Sequence, residues 1–328
     1  MFNVLALSGG GYRGLYTISV IEEFQRKSHG KFIEKFDLLC GTSIGGIIAL
    51  ALSAGKSPAE IKKFFLERGQ DIFSPRFPYN LMTEKIRDLA FRMPGAGMFF
   101  GTRYSAASLK KALDDLFGNL EMKDLKIPVI IPTINFTKGS GQFYKAKTNR
   151  SLIHDAHKKV VDVALATSAA PLFFPMHNME NGVHVDGGLF GNSPGLFGVH
   201  EAVHFMKAKE KNICLLSIGS LSSKYTVSKG ANLNRGLFSW GANLMKLSIA
   251  AQEISFDFLL QHKLGKRYLR IDEILTEELS RDIGLDRASE SSRASLLQLA
   301  ELSTQKFTGN KFFKKKLNIK FSSGGKNA

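Results

Sequence analysis

The chain has 328 residues, 44% of them hydrophobic, enough to bury a sizeable core in one large domain or two small ones. Its 45 Lys and Arg against 29 Asp and Glu give a net charge of +16, which favours anionic partners: nucleic acid, acidic lipid headgroups or phosphorylated small molecules. Only two cysteines, Cys40 and Cys214, are present, which excludes a disulfide framework, and no uncharged apolar run reaches the roughly 18 residues that span a bilayer.

The first residues lack a basic n-region and carry only the short apolar run VLAL, so no signal peptide is expected. Both cysteines lie in strand-like runs, FDLLC and ICLLSIG, where buried free thiols in a reducing compartment are expected. NVLAL reads as a strand that runs into three glycines, and Leu15–Lys27 as a helix with Leu15, Ile18, Ile21 and Phe24 on one face. FDLLC is the next strand, followed by a helix over Ile44–Ala54 that is apolar almost all round and therefore buried. A second helix is expected from about Ala59. Residues 70–104, with Pro75, Pro78 and Pro94, read as a surface excursion or lid.

Helices are expected over Ser105–Phe117 and Lys159–Ala169, with the strand IPVIIPTINF between them and a short strand GVHV after them. Pro194–Lys209 reads as a helix capped by Asn192 or Ser193, with Pro194 at its first position. ICLLSIG is a buried strand, Leu233–Leu260 a long helical pattern, RYLRI a last strand and Ala288–Phe307 a last helix. Strands separated by helices imply a parallel or mixed sheet covered on both faces. No repeat or linker interrupts the pattern, so one domain is expected over residues 1–310, with a helical part from about 230. Beyond Glu301 no acidic residue occurs, and KFTGNKFFKKKLNIKF interleaves lysine with apolar residues. Residues 311–328 are read as a flexible basic tail, either simply solvated or a foot on an anionic membrane.

The glycine turn fits GxGxxG at Gly9, Gly11 and Gly14, between a strand and a helix, as a dinucleotide loop would. That fold also needs an acidic residue at the carboxyl end of its second strand, whereas Asp37 stands at the wrong end of FDLLC. At the right end stands GTSIG, a GxSxG nucleophile elbow: Gly41 and Gly45 permit the sharp turn that would expose the Ser43 hydroxyl. Parallel neighbours would bring both loops to one crevice, where the Gly9, Gly10 and Gly11 amides can face an oxyanion formed over Ser43. A base is still needed. His200 and His204 fall on a helix at i and i+4, the pattern of surface residues. Asp186, in HVDGGLFGNSP, ends a strand and precedes the Gly187–Gly188 turn, so a carboxylate is the better candidate, its proton affinity raised by burial.

Taken together, GGGYRG at 9–14, GTSIG at 41–45, ATSAAPLFFP at 166–175 and DGG at 186–188 resemble the patatin-like phospholipases over roughly residues 1–220. The resemblance implies a Ser43–Asp186 dyad without histidine and an oxyanion loop at Gly9–Gly11 with Arg13 nearby. It further implies an α/β three-layer sandwich, its central, mostly parallel sheet covered by helices on both faces, and cleavage of acyl esters of membrane phospholipids with neither a metal nor an organic cofactor; Met93, Met98, Phe99 and Phe100 would then line an acyl channel or a lid, or simply pack. SGGGYRGLYT and FDLLCGTSIGG, in so compact a chain, are similar to bacterial patatin effectors switched on by a cyclic dinucleotide during phage infection. That implies a cytoplasmic enzyme, a homo-oligomer in peripheral contact with the inner face of the membrane, with no nucleic-acid polymer as partner. A constitutive lipase, an acyltransferase sharing the acyl-enzyme, and a nucleotide-binding module that cleaves no ester remain as alternatives.

Overall fold

The computed structural model describes residues 1–75, 102–148, 153–223, 234, 240 and 242–322. Ten strands are described: β1 (Phe2–Leu7), β2 (Leu38–Gly41), β3 (Val129–Asn135), β4 (Ser140–Ala146), β5 (His177–Met179), β6 (Gly182–Asp186), β7 (Ile213–Ile218), β8 (Ser222–Ser223), β9 (Tyr268–Ile271) and β10 (Ile274–Leu275). Eight form one sheet in the order β5-β6-β3-β2-β1-β7-β9, with β4 paired to β3, while β8 and β10 pair separately. The run β3-β2-β1-β7-β9 is parallel, and β4, β6 and β5 add antiparallel pairs at one side.

The period-2 alternation of the central strands divides the core. Leu5 and Leu7, Leu39, Val129 and Ile131, and Cys214, Leu216 and Ile218 enter the larger apolar cluster. Their neighbours Val4, Ala6, Leu38, Cys40, Ile130, Ile213 and Leu215 enter the smaller one. The larger layer holds α1 (Gly14–Lys27), α2 (Ile44–Ser53), α3 (Pro58–Ile72), α4 (Ala106–Phe117) and α5 (Val160–Thr167). The opposite layer is built on α6 (Gly195–His204) and α7 (Ala242–Leu264), through Val199, Ala202, Leu260 and Leu264. The mostly parallel three-layer sandwich is therefore as expected. All ten residues of α2 are buried, as its all-round apolar sequence requires. Both cysteines are buried and free.

Several expectations need revision. α8 (Glu290–Thr308) is followed by α9 (Lys311–Lys316), and Phe312, Phe313, Leu317 and Ile319 belong to the larger core cluster. Phe321 stacks on Phe24 at 5.2 Å between ring centroids. The expected flexible tail is thus anchored as far as residue 322, because the aromatic and aliphatic positions between the lysines have core to fill. The helix expected over Pro194–Lys209 ends at His204, and Pro194 itself is its N-cap, without any side-chain cap. β4 and β5, which carry no strong alternation, extend the sheet unpredicted. Most of the 70–104 excursion, including Pro78, Pro94, Met93, Met98, Phe99 and Phe100, lies outside the described residues.

Candidate active site

Parallel pairing sets the carboxyl ends of the strands in one row. Leu7 is opposite both Gly41 and Ile218, and Ile218 is opposite Ile271. The loops that follow, 8–11, 42–43, 219–222 and Asp272, therefore open on one crevice, where ligands of open α/β sheets bind.

Ser43 is the hinge between β2 and α2. Its φ of 54° and ψ of −127° lie in a region unfavourable for a residue with a Cβ, so the turn is strained. The flanking glycines make room for it. A Cβ on Gly41 would fall on the Gly45 carbonyl, and one on Gly45 would fall on the Leu7 and Ser8 carbonyls of the β1 end. The Ser43 N–H donates to Thr167 Oγ1 at 3.1 Å, and Thr167 Oγ1 donates to the Pro132 carbonyl at 2.7 Å.

Asp186 arrives from β6, which pairs antiparallel with β3 opposite Thr133. The Ser43 hydroxyl donates to Asp186 Oδ2 at 2.6 Å, across 143 residues of sequence. Asp186 Oδ1 accepts the Gly188 N–H at 2.7 Å. Burial pushes the Asp186 carboxyl up to about 6, against the lowering effect of the Ser43 and Gly188 hydrogen bonds. Gly187 leaves space for the Pro132 carbonyl of β3, which lets the turn close behind the carboxylate. His200 and His204 stack on one another at 4.4 Å on the exposed face of α6.

The three loop glycines are not equivalent. The Gly9 N–H donates to the Asn192 carbonyl at 3.1 Å, so the expectation that all three amides face the crevice is corrected for Gly9. Gly9 is instead the point of closest approach, where a Cβ would meet Asn192 Oδ1 and Ser43 Cβ. The Gly10 and Gly11 N–H groups have no acceptor among the described residues. Gly11 has φ of +58°, and the Tyr12 N–H after it donates to the Leu285 carbonyl at 2.7 Å. Arg13 is near the loop, as expected, but acts on its carbonyl side: Nε donates to the Gly10 carbonyl at 3.4 Å and NH1 to the Leu221 carbonyl at 2.8 Å.

An apolar pocket opens beside these groups, lined among others by Ile47, Phe64, Ile72, Phe173, Phe174 and Ile249. A hydroxyl held by a basic buried carboxylate, beside two free amides and an apolar pocket, is suited to attack a carbonyl attached to a hydrocarbon chain. No group of three or more His, Cys, Asp or Glu that could hold a metal is found among the described residues.

Ser220, Glu253, Asp272 and Leu285 are not among the residues expected from the sequence, and Asn192 is there only one of two alternatives, with Ser193, for a helix cap. Asn192 Nδ2 donates instead to the Gly9 carbonyl at 3.3 Å and to Glu253 Oε1 at 2.7 Å. Ser220 Oγ donates to the same Gly9 carbonyl at 2.5 Å. The one available signal for Ser220 was its position, just past the carboxyl end of a buried strand.

A serine elbow and an aspartate turn at the carboxyl edge of such a sheet define a class of serine acyl hydrolases, and the patatin-like phospholipase model matches residues 5–196. The chain belongs to that family. It is 40% identical to a "cGAMP-activated phospholipase" of Pseudomonas aeruginosa, over 95% of this chain and 90% of that protein. It is 35% identical to a protein of the same description from Vibrio cholerae, over 95% of this chain and 94% of the relative. A third, from Escherichia coli, is 32% identical over 89% of this chain and 86% of its own length.

Proposed function

We propose that the chain is a phospholipase A-type acyl hydrolase, switched on by a cyclic dinucleotide such as cGAMP, that cleaves membrane phospholipids with Ser43 and Asp186. The observation that carries the reading is the 2.6 Å hydrogen bond from the Ser43 hydroxyl to a buried carboxylate whose proton affinity is raised to about 6. Asp186 takes the hydroxyl proton as Ser43 Oγ attacks the ester carbonyl, and the Gly10 and Gly11 amides hold the resulting oxyanion. The carbon–oxygen bond to the lysophospholipid breaks, and Asp186 returns the proton to the departing oxygen. Water then gives a proton to Asp186 and attacks the acyl-serine, releasing the fatty acid and restoring the Ser43 hydroxyl. A carboxylate suffices as base because it has no tautomer to orient.

The substrate class follows from the pocket and its surroundings. Apolar walls suit an acyl chain better than a nucleotide. Leu172 and Met176, on the segment that supplies Phe173 and Phe174, are exposed, as are Leu244, Leu247, Ile254 and Phe258 on α7, which supplies Met245 and Ile249 to the pocket. Such a rim can enter the headgroup layer of an anionic membrane while the net positive charge draws the protein to it. Among the described residues no helix is long and apolar enough to cross a bilayer. We place that contact at the inner face of the membrane. Self-association belongs to the same proposal, and light scattering with and without cGAMP checks it.

The test is fatty-acid release from phosphatidylglycerol-containing vesicles with and without cGAMP. Wild type should respond to cGAMP, whereas Ser43→Ala and Asp186→Asn should fall by at least about 1000-fold. Retention of most of the activity in either variant overturns the dyad. A flat response to cGAMP removes the switch and leaves the hydrolase. Leu247→Asp with Phe258→Asp should impair vesicle hydrolysis but spare a soluble short-chain ester.

A further inference from the structure

The Gly10 and Gly11 N–H groups of the glycine loop have no acceptor among the described residues, and the Gly9 carbonyl of that loop is held by side chains distant in sequence. A trans peptide points its C=O and the following N–H in opposite directions. Fixing the Gly9 carbonyl therefore aims the Gly10 N–H, and fixing the Gly10 carbonyl aims the Gly11 N–H. Ser220 Oγ at 2.5 Å and Asn192 Nδ2 at 3.3 Å donate to the first. Arg13 Nε at 3.4 Å and the Arg13 N–H at 3.2 Å donate to the second.

We propose that Ser220 and Asn192 are positioning residues for the oxyanion loop, turning the Gly10 N–H toward the reacting carbonyl by gripping the Gly9 carbonyl from behind. The inference rests on the hydrolase reading above and extends it beyond residue 196, where the family match stops.

The grip is itself secured. Asp272 Oδ1 accepts the Leu221 N–H at 3.0 Å and the Ser222 N–H at 3.3 Å, and its Oδ2 accepts Ser222 Oγ at 2.6 Å. Arg270 binds Asp272 at 2.7 Å, and Gly219 leaves room for the Asp272 carboxylate. Burial disfavours the Arg270 cation, but Asp272, Glu253, Tyr268 and Asp257 together outweigh it and raise its proton affinity. Asn192 is gripped twice, because its carbonyl accepts the Gly9 N–H while its side-chain amide bridges Gly9 and Glu253. Both amide hydrogens of Asn192 are used, so its orientation is fixed. Ser220 is buried, and removing its hydroxyl leaves the longer Asn192 contact to hold the Gly9 carbonyl against the freedom of three successive glycines.

The experiment uses the full chain with cGAMP, a soluble short-chain ester and its thiono analogue, in which sulfur replaces the carbonyl oxygen. Sulfur accepts hydrogen bonds poorly, so a well-aligned oxyanion hole strongly prefers the oxygen ester. Ser220→Ala and, separately, Asn192→Ala should lower kcat for the oxygen ester by about 10- to 100-fold, with KM within threefold of wild type. The oxygen-to-thiono preference should shrink by a similar factor. The acid limb of the pH profile, set by Asp186, should not move. The double variant should lose little more than the worse single one, because both act through one carbonyl. A folded Ser220→Ala protein with kcat within threefold of wild type overturns the proposal, as does an equal loss on both esters. If one variant does not fold, the other decides by the same criteria. Ser43→Ala runs alongside. Activity retained there removes the hydrolase reading and this inference together, whereas a dead Ser43→Ala beside a fully active Ser220→Ala removes only the inference.

Discussion

Two glycine-rich turns lie side by side at the ends of β1 and β2, and they are held by opposite means. The elbow at 41–45 closes on itself and on its neighbour strand: its glycines pack against the Gly45, Leu7 and Ser8 carbonyls. The loop at 9–11 has Arg13 beside it as local support and otherwise depends on partners from across the chain. Its carbonyls are gripped by Ser220, Asn192 and Arg13, and its far side rests on Leu285. One turn presents a side chain, and a rigid backbone suffices for that. The other presents backbone amides, whose direction depends on which partner holds the carbonyl in front of each. A short motif can encode the first, whereas the second must be assembled by the fold.

The widest break in this comparison should come from the glycines. Gly45→Ala places a Cβ against backbone that cannot move, and should cost about 3 kcal/mol of stability, read from urea unfolding. Gly10→Ala meets the Oγ and Cβ of the buried Ser220 rather than fixed carbonyls, so it should lose less stability than Gly45→Ala while Ser220 is pushed off the Gly9 carbonyl and kcat falls at least about tenfold. Equal stability losses in the two variants would erase the distinction between a packed turn and a gripped one.

Next in size is the pH response. With Asp186 as base, kcat/KM should fall about tenfold per pH unit below about 6, and the limb should vanish in no variant that merely loosens the loop. The same shift has a stability consequence. The Asp186 carboxyl rises from 3.8 unfolded to about 6 folded, so the folded state holds its proton more tightly. Its contribution to stability is present below about pH 4 and is lost as pH rises through about 6. Asp186→Asn, which keeps the shape and drops the charge, should therefore be more stable than wild type by about 1–3 kcal/mol at pH 7–8, the gap closing below pH 4. Calorimetric melting at pH 4 and pH 8 checks it, and a pH-independent difference would mean that burial does not penalise this carboxylate.

The smallest expected effect sharpens the elbow. Ser43 carries a positive φ at a cost a glycine would not bear, so Ser43→Gly should exceed Ser43→Ala in stability by about 1 kcal/mol. Identical melting temperatures for the two would show that the turn stores no such strain.

The motifs at 9–14, 41–45 and 186–188 were legible because each encodes its own turn chemistry and stands at the end of a strand visible in the apolar pattern. The grip on the loop was not legible, because Ser220 carries no motif and Asn192 looked like a helix cap. The lysine-rich end misled for a related reason: its charges were conspicuous, but Phe312, Phe313 and Phe321 had a place in the core that only packing revealed.

By itself, the amino-acid sequence determined where the central strands β1, β2, β3 and β7, the serine turn and the aspartate turn would form, since these rest on local periodicity and on glycine's freedom at tight bends. The tertiary structure alone decided that the Gly9 amide is occupied while those of Gly10 and Gly11 have no acceptor among the described residues, and that Ser220 and Asn192 meet on the Gly9 carbonyl. A backbone amide has no identity in sequence, and its availability depends on which groups the fold brings within hydrogen-bond reach.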